Sequence, residues 1–333
     1  MAEFDYPLPL EAIAQRPADP RDSARMLVDR GAGRPPDHRL ARDLPSILRE
    51  GDLLVVNDTR VMPARLGLRR STGGGAEVLL LEPVESSSRE HWRALVKPAR
   101  RLRRGETLTA FDGTAVIEIG EREDDGVVRV VVIGGSPDEL MARYGTVPLP
   151  PYITEPLDDP ERYQTVYARR AASAAAPTAG LHLTARVLEQ LAERDISVAR
   201  VELVVGLDTF RPVTVDDPAD HHIHTEALTV APDVLAACEK AERVVAVGTT
   251  TVRALESAAL GIPSGRTSLF IHAPFEFKVV DVLLTNFHLP RSSLLLLVHA
   301  FMGDRWRTLY DEAIADGYRF FSFGDCMLVD RVA

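Results

Sequence analysis

Apolar positions along the chain fall into two patterns. In the first, short unbroken apolar runs end abruptly in polar residues. Leu53–Val56 precedes Asn57-Asp58-Thr59-Arg60, Val244–Val247 precedes Gly248-Thr249-Thr250-Thr251, and Val282–Leu284 precedes Thr285-Asn286-Phe287-His288. Runs of this kind predict strands buried on both faces of a largely parallel sheet. In the second pattern, short strand-like stretches are separated by glycines, at Ala64–Arg69, Ala76–Leu81, His91–Val96, Thr107–Thr109, Ala115–Ile119 and Val127–Ile133. Their spacing of about ten residues predicts a small barrel or sandwich.

Around these stretches the same reading places the remaining elements. Arg25–Val28 and His38–Leu40 are expected as short strands, and Leu44–Glu50 as a short helix stopped at Gly51. Ala185–Arg194 predicts a helix with Leu188, Leu191 and Ala192 on one face, and Ala231–Glu242 another. Ser197–Val205 reads as a strand, and TSLFI and FKVVD as a hairpin-like pair. Leu294–Ala300 fits a buried strand or helix, and YRFFSFGD (Tyr318–Asp325) an aromatic strand and turn. The proline-rich VPLPPYI, Val147–Ile153, closes the second region as a stiff linker. The expected fold class is α/β. Residues 1–60 and 151–333 form a larger, discontinuous α/β domain, and 61–150 a small inserted β domain.

Candidate chemistry concentrates at the polar ends of the buried strands, where open α/β sheets bind ligands. Gly248 permits a tight turn, and Thr249, Thr250 and Thr251 are N-cap candidates for the helix that follows. Free N–H groups and the positive end of the helix dipole would then meet an anionic group. Arg253, one turn in, adds a forked donor for a carboxylate or phosphate. An ordinary threonine-capped strand-to-helix connection is the alternative. Ala171–Gly180 is nearly free of side chains and ends in AAPTAGLHLT, where Pro177, Thr178, Gly180 and His182 favour a site loop over a plain linker. His222, His224 and Glu226 share one face of an extended segment, which makes a three-ligand metal site conceivable. No fourth ligand is evident, so a polar core or substrate contact is the preferred reading and no metal is expected.

The totals change this picture in one respect. The chain has 333 residues, 45% hydrophobic and 26% charged, with no apolar run near the length of a membrane span. Its start has no basic region before a long apolar core, and Cys238 and Cys326 build no disulfide framework. A cytoplasmic location is expected. The formal net charge of −10 argues against a nucleic-acid partner, yet its distribution is uneven. Between Arg60 and Arg104 eleven Arg and Lys face four Glu, giving +7, and the densest piece is Lys97–Gly105, KPARRLRRG. Such an island can clamp phosphates or be a solvated loop.

With NDTRV, PTAGLHLT, VGTTTVRALES, TNFHLP and YRFFSFGD in this order, effectively the whole chain resembles the S-adenosylmethionine:tRNA ribosyltransferase-isomerases of queuosine synthesis. The resemblance implies an α/β domain interrupted by a β-barrel. It also implies transfer and isomerisation of the ribosyl group of S-adenosylmethionine onto 7-aminomethyl-7-deazaguanine in tRNA, with epoxyqueuosine-tRNA, adenine and methionine as products. S-adenosylmethionine then acts as co-substrate, with no permanently bound cofactor. On that chemistry His182 and His288 are candidates for proton transfer. Arg253 is the candidate for the methionine carboxylate, and Asn57, Asp58 and Asn286 for ribose hydroxyls or a base edge. Phe287 is a candidate for stacking on a purine. Arg60, Thr178, Gly180, Thr249 and Thr250 complete the expected substrate-binding set, and Lys97, Arg100, Arg101, Arg103 and Arg104 are expected to bind tRNA. Three departures stand out. The histidine and second glycine of the family's His-Val-Gly-x-Gly-Thr-Phe are Val204 and Asp208 here, and the aromatic after the histidine of PTAGLH is Leu183. They leave open a changed acceptor or a non-catalytic tRNA-binding role.

Overall fold

The computed structural model describes residues 1–332 except 32, 86, 87, 124, 125, 207–212, 214, 216, 219, 220, 222 and 224. The chain divides into two compact units. One contains Met1–Arg60, Pro150–Arg170 and Ala176–Ala333; the other contains Val61–Leu149 and Ala171–Ala175.

The first half of the chain supplies β1 (Arg25–Val28), β2 (Asp37–Leu40), α1 (Leu44–Ile47), β3 (Asp52–Asn57) and β4 (Arg60–Val61). It continues with β5 (Arg65–Arg70), β6 (Gly75–Glu85), β7 (Ser88–Lys97), β8 (Thr107–Thr109), β9 (Ala115–Arg122) and β10 (Val127–Val132). Then come α2 (Pro137–Tyr144), β11 (Gly145–Thr146) and β12 (Ala171–Ser173), which pairs with β4. The second half carries α3 (Ala185–Ala192), β13 (Ser197–Leu203), β14 (Glu226–Thr229), α4 (Pro232–Lys240), β15 (Arg243–Val247) and α5 (Thr249–Ala259). It closes with β16 (Ser264–Thr267), β17 (Val282–Asn286), α6 (Ser293–Met302), α7 (Arg305–Ala315) and β18 (Cys326–Asp330).

The larger unit is built on a nine-stranded sheet in the order β16-β14-β13-β3-β15-β17-β18-β1-β2. Its centre, β13-β3-β15-β17, is parallel, with Val56 opposite Val247 and Val247 opposite Leu284. Every residue of β3 and β17 is buried, as unbroken apolar runs require when both faces of a sheet are covered. Period-two alternation sends Leu54, Val56, Val245, Val247, Val282 and Leu284 into one core with Leu183, Val187 and Leu191 around α3. Among the described residues no helix is long and apolar enough to cross a membrane.

In the smaller unit, β5-β6-β7-β10-β9-β8 closes into a six-stranded barrel through pairing of Arg69 with Thr109 and Arg70 with Leu108. The strand β11 adds to β5 outside the closed ring. Alternation places Leu66, Val78, Ala94, Leu108, Ile117 and Val130 inside. The helix α2 was absent from the strand pattern, although Ser136 and Glu139 form a reciprocal capping box around Pro137.

Three local expectations are corrected. The helix at Leu44–Glu50 is only one turn, Leu44–Ile47. The hairpin of TSLFI with FKVVD does not form, and Thr267 instead ends β16, which pairs with β14. The N–H groups of Lys278, Val279 and Val280 donate to the buried Glu256 carboxylate at 2.8, 3.1 and 3.0 Å, so no strand partner is required. Of the strand and turn expected at Tyr318–Asp325 the turn forms, closed by Gly324 N–H to Phe321 O at 3.0 Å, while the strand is reduced to a single bridge between Phe320 and Ile13. Asp325 accepts the N–H groups of Arg319 and Arg25, at 2.8 and 2.9 Å, and β18 starts at Cys326. The helix α7 fills a segment for which the sequence pattern predicted nothing.

Candidate active site

Three neighbouring parallel strands, β3, β15 and β17, end at one edge of the sheet, and their polar ends meet there. Gly248 has φ +87° and its N–H donates to Leu284 O at 2.8 Å, turning the chain directly into α5. Gly248 itself is the N-cap, so the three threonines occupy the first helical positions rather than capping. Thr251 Oγ1 donates to Val247 O at 2.7 Å, inside the fold. Thr249 and Thr250 line the adjoining cleft, where the first N–H groups of the helix lack intrahelical partners.

The cleft is an open depression at the strand ends, with about 590 Å³ of space in it when open solvent is included. Thr178 and Ala179 form one wall and residues 285–289 another, with Asn286 and His288 among them. Tyr152, Phe321, Ser322 and Ser292 complete it, and none of these four was singled out by sequence reasoning. Tyr152 lies in the segment read as a linker, and its hydroxyl is 2.7 Å from Ser322 Oγ. The Tyr152 and Phe321 rings are 4.9 Å apart and inclined at 53°.

Several expected ligand contacts are committed elsewhere. Asn57 is fully buried: its Nδ2 donates to Leu203 O and Thr250 Oγ1 at 2.9 and 3.3 Å, while Oδ1 accepts from Leu203 N and Thr59 N. Registered pairing of β3 with β13 ends at Asn57, and the side-chain amide takes over the backbone groups of Leu203 beyond it. Asp58 lies 3.7 Å from Arg169, and burial raises its carboxyl above the usual range against the pull of Arg169 and Arg200. Arg60 pairs with Glu161. Neither residue lines the cleft.

Arg253 is likewise engaged inside the fold, although its Nη2 has no hydrogen-bond partner among the described residues. It is 6% exposed, its Nη1 pairs with Glu226, and its Nε donates to Leu269 O at 3.1 Å. A buried guanidinium needs a counter-charge, and Glu226 supplies it from 27 residues earlier. The second Glu226 oxygen accepts the Gly206 N–H at 3.0 Å, so this carboxylate is a fold element rather than a metal ligand. Among the described residues no group of three His, Cys, Asp or Glu is placed to hold a metal ion; His222 and His224 lie outside them. Gly180 lies behind the cleft wall, packed against Tyr167 and Thr165. The Phe287 ring is wedged edge-on against Tyr310 and Tyr318, at 5.2 and 5.8 Å, which removes it from stacking on a ligand.

Both candidate histidines are held neutral. Burial pushes His288 down to about 3, and its Nε2 is 2.9 Å from Thr285 Oγ1. Burial pushes His182 down to about 4, with Arg319 and Arg21 acting in the same direction and Asp325 and Asn286 opposing. His182 is buried behind the lining, and Asn286 Oδ1 has no hydrogen-bond partner among the described residues.

These shifts carry a stability consequence. An unfolded histidine titrates near 6.5, so below that pH the unfolded chain binds more protons than the folded one. Stability should fall as pH drops from 6.5 towards 4, by roughly 1.4 kcal/mol per pH unit for each histidine. Urea unfolding at several pH values should give a shallower acid limb for His182→Asn and for His288→Asn. A slope identical to that of the parent chain in both would contradict the assignment.

Comparison with known proteins decides the family. A family model described as a queuosine biosynthesis protein matches residues 1–329. An S-adenosylmethionine:tRNA ribosyltransferase-isomerase of Symbiobacterium thermophilum is 49% identical, covering 99% of both chains. One of Heliobacterium modesticaldum is 48% identical, again over 99% of both. The crystal structure of the S-adenosylmethionine tRNA ribosyltransferase of Thermotoga maritima superposes with a TM-score of 0.55 at 35% identity, covering 98% of this chain and 99% of that one. The chain belongs to the S-adenosylmethionine:tRNA ribosyltransferase-isomerase family.

Within that family the departures have distinct surroundings. Val204 extends the sheet, its N–H donating to Ala227 O at 2.8 Å. Leu183 is fully buried in the core beside Val187 and Leu191, so an apolar residue is what its position requires. Asp208 lies outside the described residues. The expected tRNA-binding residues of this family member, Lys97, Arg100, Arg101, Arg103 and Arg104, are all exposed and belong to the barrel unit, not to the unit that holds the cleft.

Proposed function

We propose that the chain transfers and isomerises the ribosyl group of S-adenosylmethionine onto 7-aminomethyl-7-deazaguanine in tRNA, giving epoxyqueuosine-tRNA, adenine and methionine. The observation that carries this reading is the cleft at the joined ends of β3, β15 and β17. There a helix N-terminus with no side-chain cap faces two polar loops in a member of this family. S-adenosylmethionine is a co-substrate consumed in each turnover, not a resident cofactor.

The roles of the residues follow from the chemistry each group can offer. The N–H groups of Thr249 and Thr250 suit the methionine carboxylate, in place of the side chain of Arg253. Tyr152 and Phe321 present the aromatic surface for adenine that Phe287 does not. Asn286 lines the cleft, and its amide suits a ribose hydroxyl. The sulfonium acidifies the C5′ protons, and a neutral imidazole accepts one of them. His288 lines the cleft, which makes it the preferred base; His182, buried behind the lining, is the second candidate.

Adenine release, followed by chromatography, tests the reaction. Adenine and methionine should appear only when tRNA carrying the aminomethyl base is supplied, and the tRNA mass should rise by the transferred group. Release with a different amine and none with this tRNA would place the chain with another acceptor. In single-turnover experiments His288→Gln should lose on the order of 10²- to 10⁴-fold in rate. A near-parental rate for both His288→Gln and His182→Gln would remove the histidines from the chemistry.

A further inference from the structure

We infer that the loop between β7 and β8 of the barrel is a pre-organised contact surface for the sugar-phosphate backbone of RNA. Arg100, Arg101 and Arg103 are its contacting side chains, and Arg70 and Arg122 hold it in shape. The inference rests on tRNA being the acceptor and adds where, and by which groups, the barrel would grip it.

Residues 97–105 carry five cations and no carboxylate. A segment of this charge repels itself and would be expected to spread in solvent. Instead it forms two turns in succession, closed by Arg101 N–H to Pro98 O at 3.1 Å and Glu106 N–H to Arg103 O at 3.0 Å. Leu102 lies between the turns and is buried, pinning the loop at its middle. Side chains from the barrel wall then fix four of its backbone groups. Arg122 Nη2 donates to Ala99 O and, at 3.1 Å, to Leu102 O. Arg70 Nη2 donates to Arg101 O at 2.8 Å. Glu106 accepts the Arg103 N–H at 3.0 Å while its carboxylate is paired with Arg70 at 2.8 and 3.1 Å.

Most other arginines of the barrel meet a carboxylate; Arg69, on β5, is exposed and makes no ion pair among the described residues. Arg93 pairs with Glu82 and Glu123, Arg129 with Glu123, and Arg143 with Asp112. At the ends of the loop Lys97 faces Glu77 at 3.6 Å and Arg104 faces Glu121 at 2.9 Å. Among the described residues Arg100, Arg101 and Arg103 make no ion pair. Three exposed guanidiniums on a braced backbone therefore stand out on a chain whose net charge is −10. Guanidiniums bind phosphate oxygens through paired N–H donors, and a backbone already fixed loses little freedom when they do. The loop's one large apolar side chain, Leu102, is buried, so the surface offers nothing to insert into a lipid layer.

Binding of a fluorescently labelled tRNA transcript to the full chain, measured by anisotropy over a series of KCl concentrations, tests this. The variant R100Q/R101Q/R103Q should flatten the plot of log affinity against log salt by about 2 to 3 units, with unchanged thermal stability. Arg129→Gln, on the same barrel, should leave the slope at the parental value. Arg122→Lys keeps the charge but, on a shorter side chain, does not carry a nitrogen to the place where Nη2 donates to both carbonyls, and should weaken binding several-fold. A parental slope in the triple variant, with tight binding by the parent chain, overturns this inference alone. A parent chain that binds no tRNA overturns it together with the proposed acceptor, and adenine release with tRNA carrying the aminomethyl base distinguishes the two cases.

Discussion

Replacing Arg253 by methionine should destabilise the chain by roughly 3–5 kcal/mol, a fall in Tm on the order of 10 °C. The guanidinium and its partner Glu226 are both buried, with side chains only 7% exposed. Removing the cation takes from a buried carboxylate the charge that Arg253 supplies, which costs more than the pair itself contributes. The double variant R253M/E226Q should recover much of the loss. Glutamine abolishes the buried charge yet keeps an oxygen for the Gly206 N–H, now held at 3.0 Å. Denaturant titration of the four proteins of this cycle gives the coupling directly. Calorimetry with S-adenosylmethionine separates the two roles considered for Arg253. If the folded R253M protein binds the nucleoside no more weakly than E226Q does, the arginine acts through the fold. A much larger loss of affinity with no change in Tm would instead return it to the carboxylate.

Gly180→Ala should be of similar severity, about 3 kcal/mol or more, and should also impair turnover. A Cβ built at Gly180 lies 2.0 Å from Tyr167 Oη and 3.0 Å from Thr165 Cγ2. Tyr167 is buried in the sheet core and has no room to retreat. Thr178 and Ala179, on the same short turn, line the cleft, so displacing this turn displaces the site. The clash is with one atom, and deleting that atom should relieve it. In G180A/Y167F the nearest remaining contacts are near 3.0 and 3.1 Å, and a large part of the stability should return. Tyr167→Phe alone should be neutral or slightly stabilising, because its buried hydroxyl has no hydrogen-bond partner among the described residues. Thermal melts of the three variants settle it, and equal Tm values for G180A and G180A/Y167F would sink the steric account.

Both predictions concern residues whose importance could be read from the sequence but whose role could not. Arg253 and Gly180 stood out because each sits beside a strand end or in a segment stripped of side chains. What each touches depends on residues far along the chain or across a turn. Asn57 illustrates the same point: it ends a buried strand as expected, yet its amide completes the pairing of β13 and steadies Thr250. Phe287 was separated from ligand stacking only by Tyr310 and Tyr318, which follow it by more than twenty residues.

The amino-acid sequence alone determined the α/β class, the barrel strands, the buried strands with polar ends and the Gly248 turn. These follow from local rules: periodicity fixes which face a residue occupies, and a glycine marks where the backbone must turn sharply. Tertiary structure alone decided which polar side chain faces the cleft and which is consumed inside the fold. A buried charge or amide must find its partner wherever the packing brings one, as Glu226 does for Arg253 and Leu203 for Asn57. Such pairings depend on packed elements distant in sequence, which leave no mark in the spacing of residues along the chain.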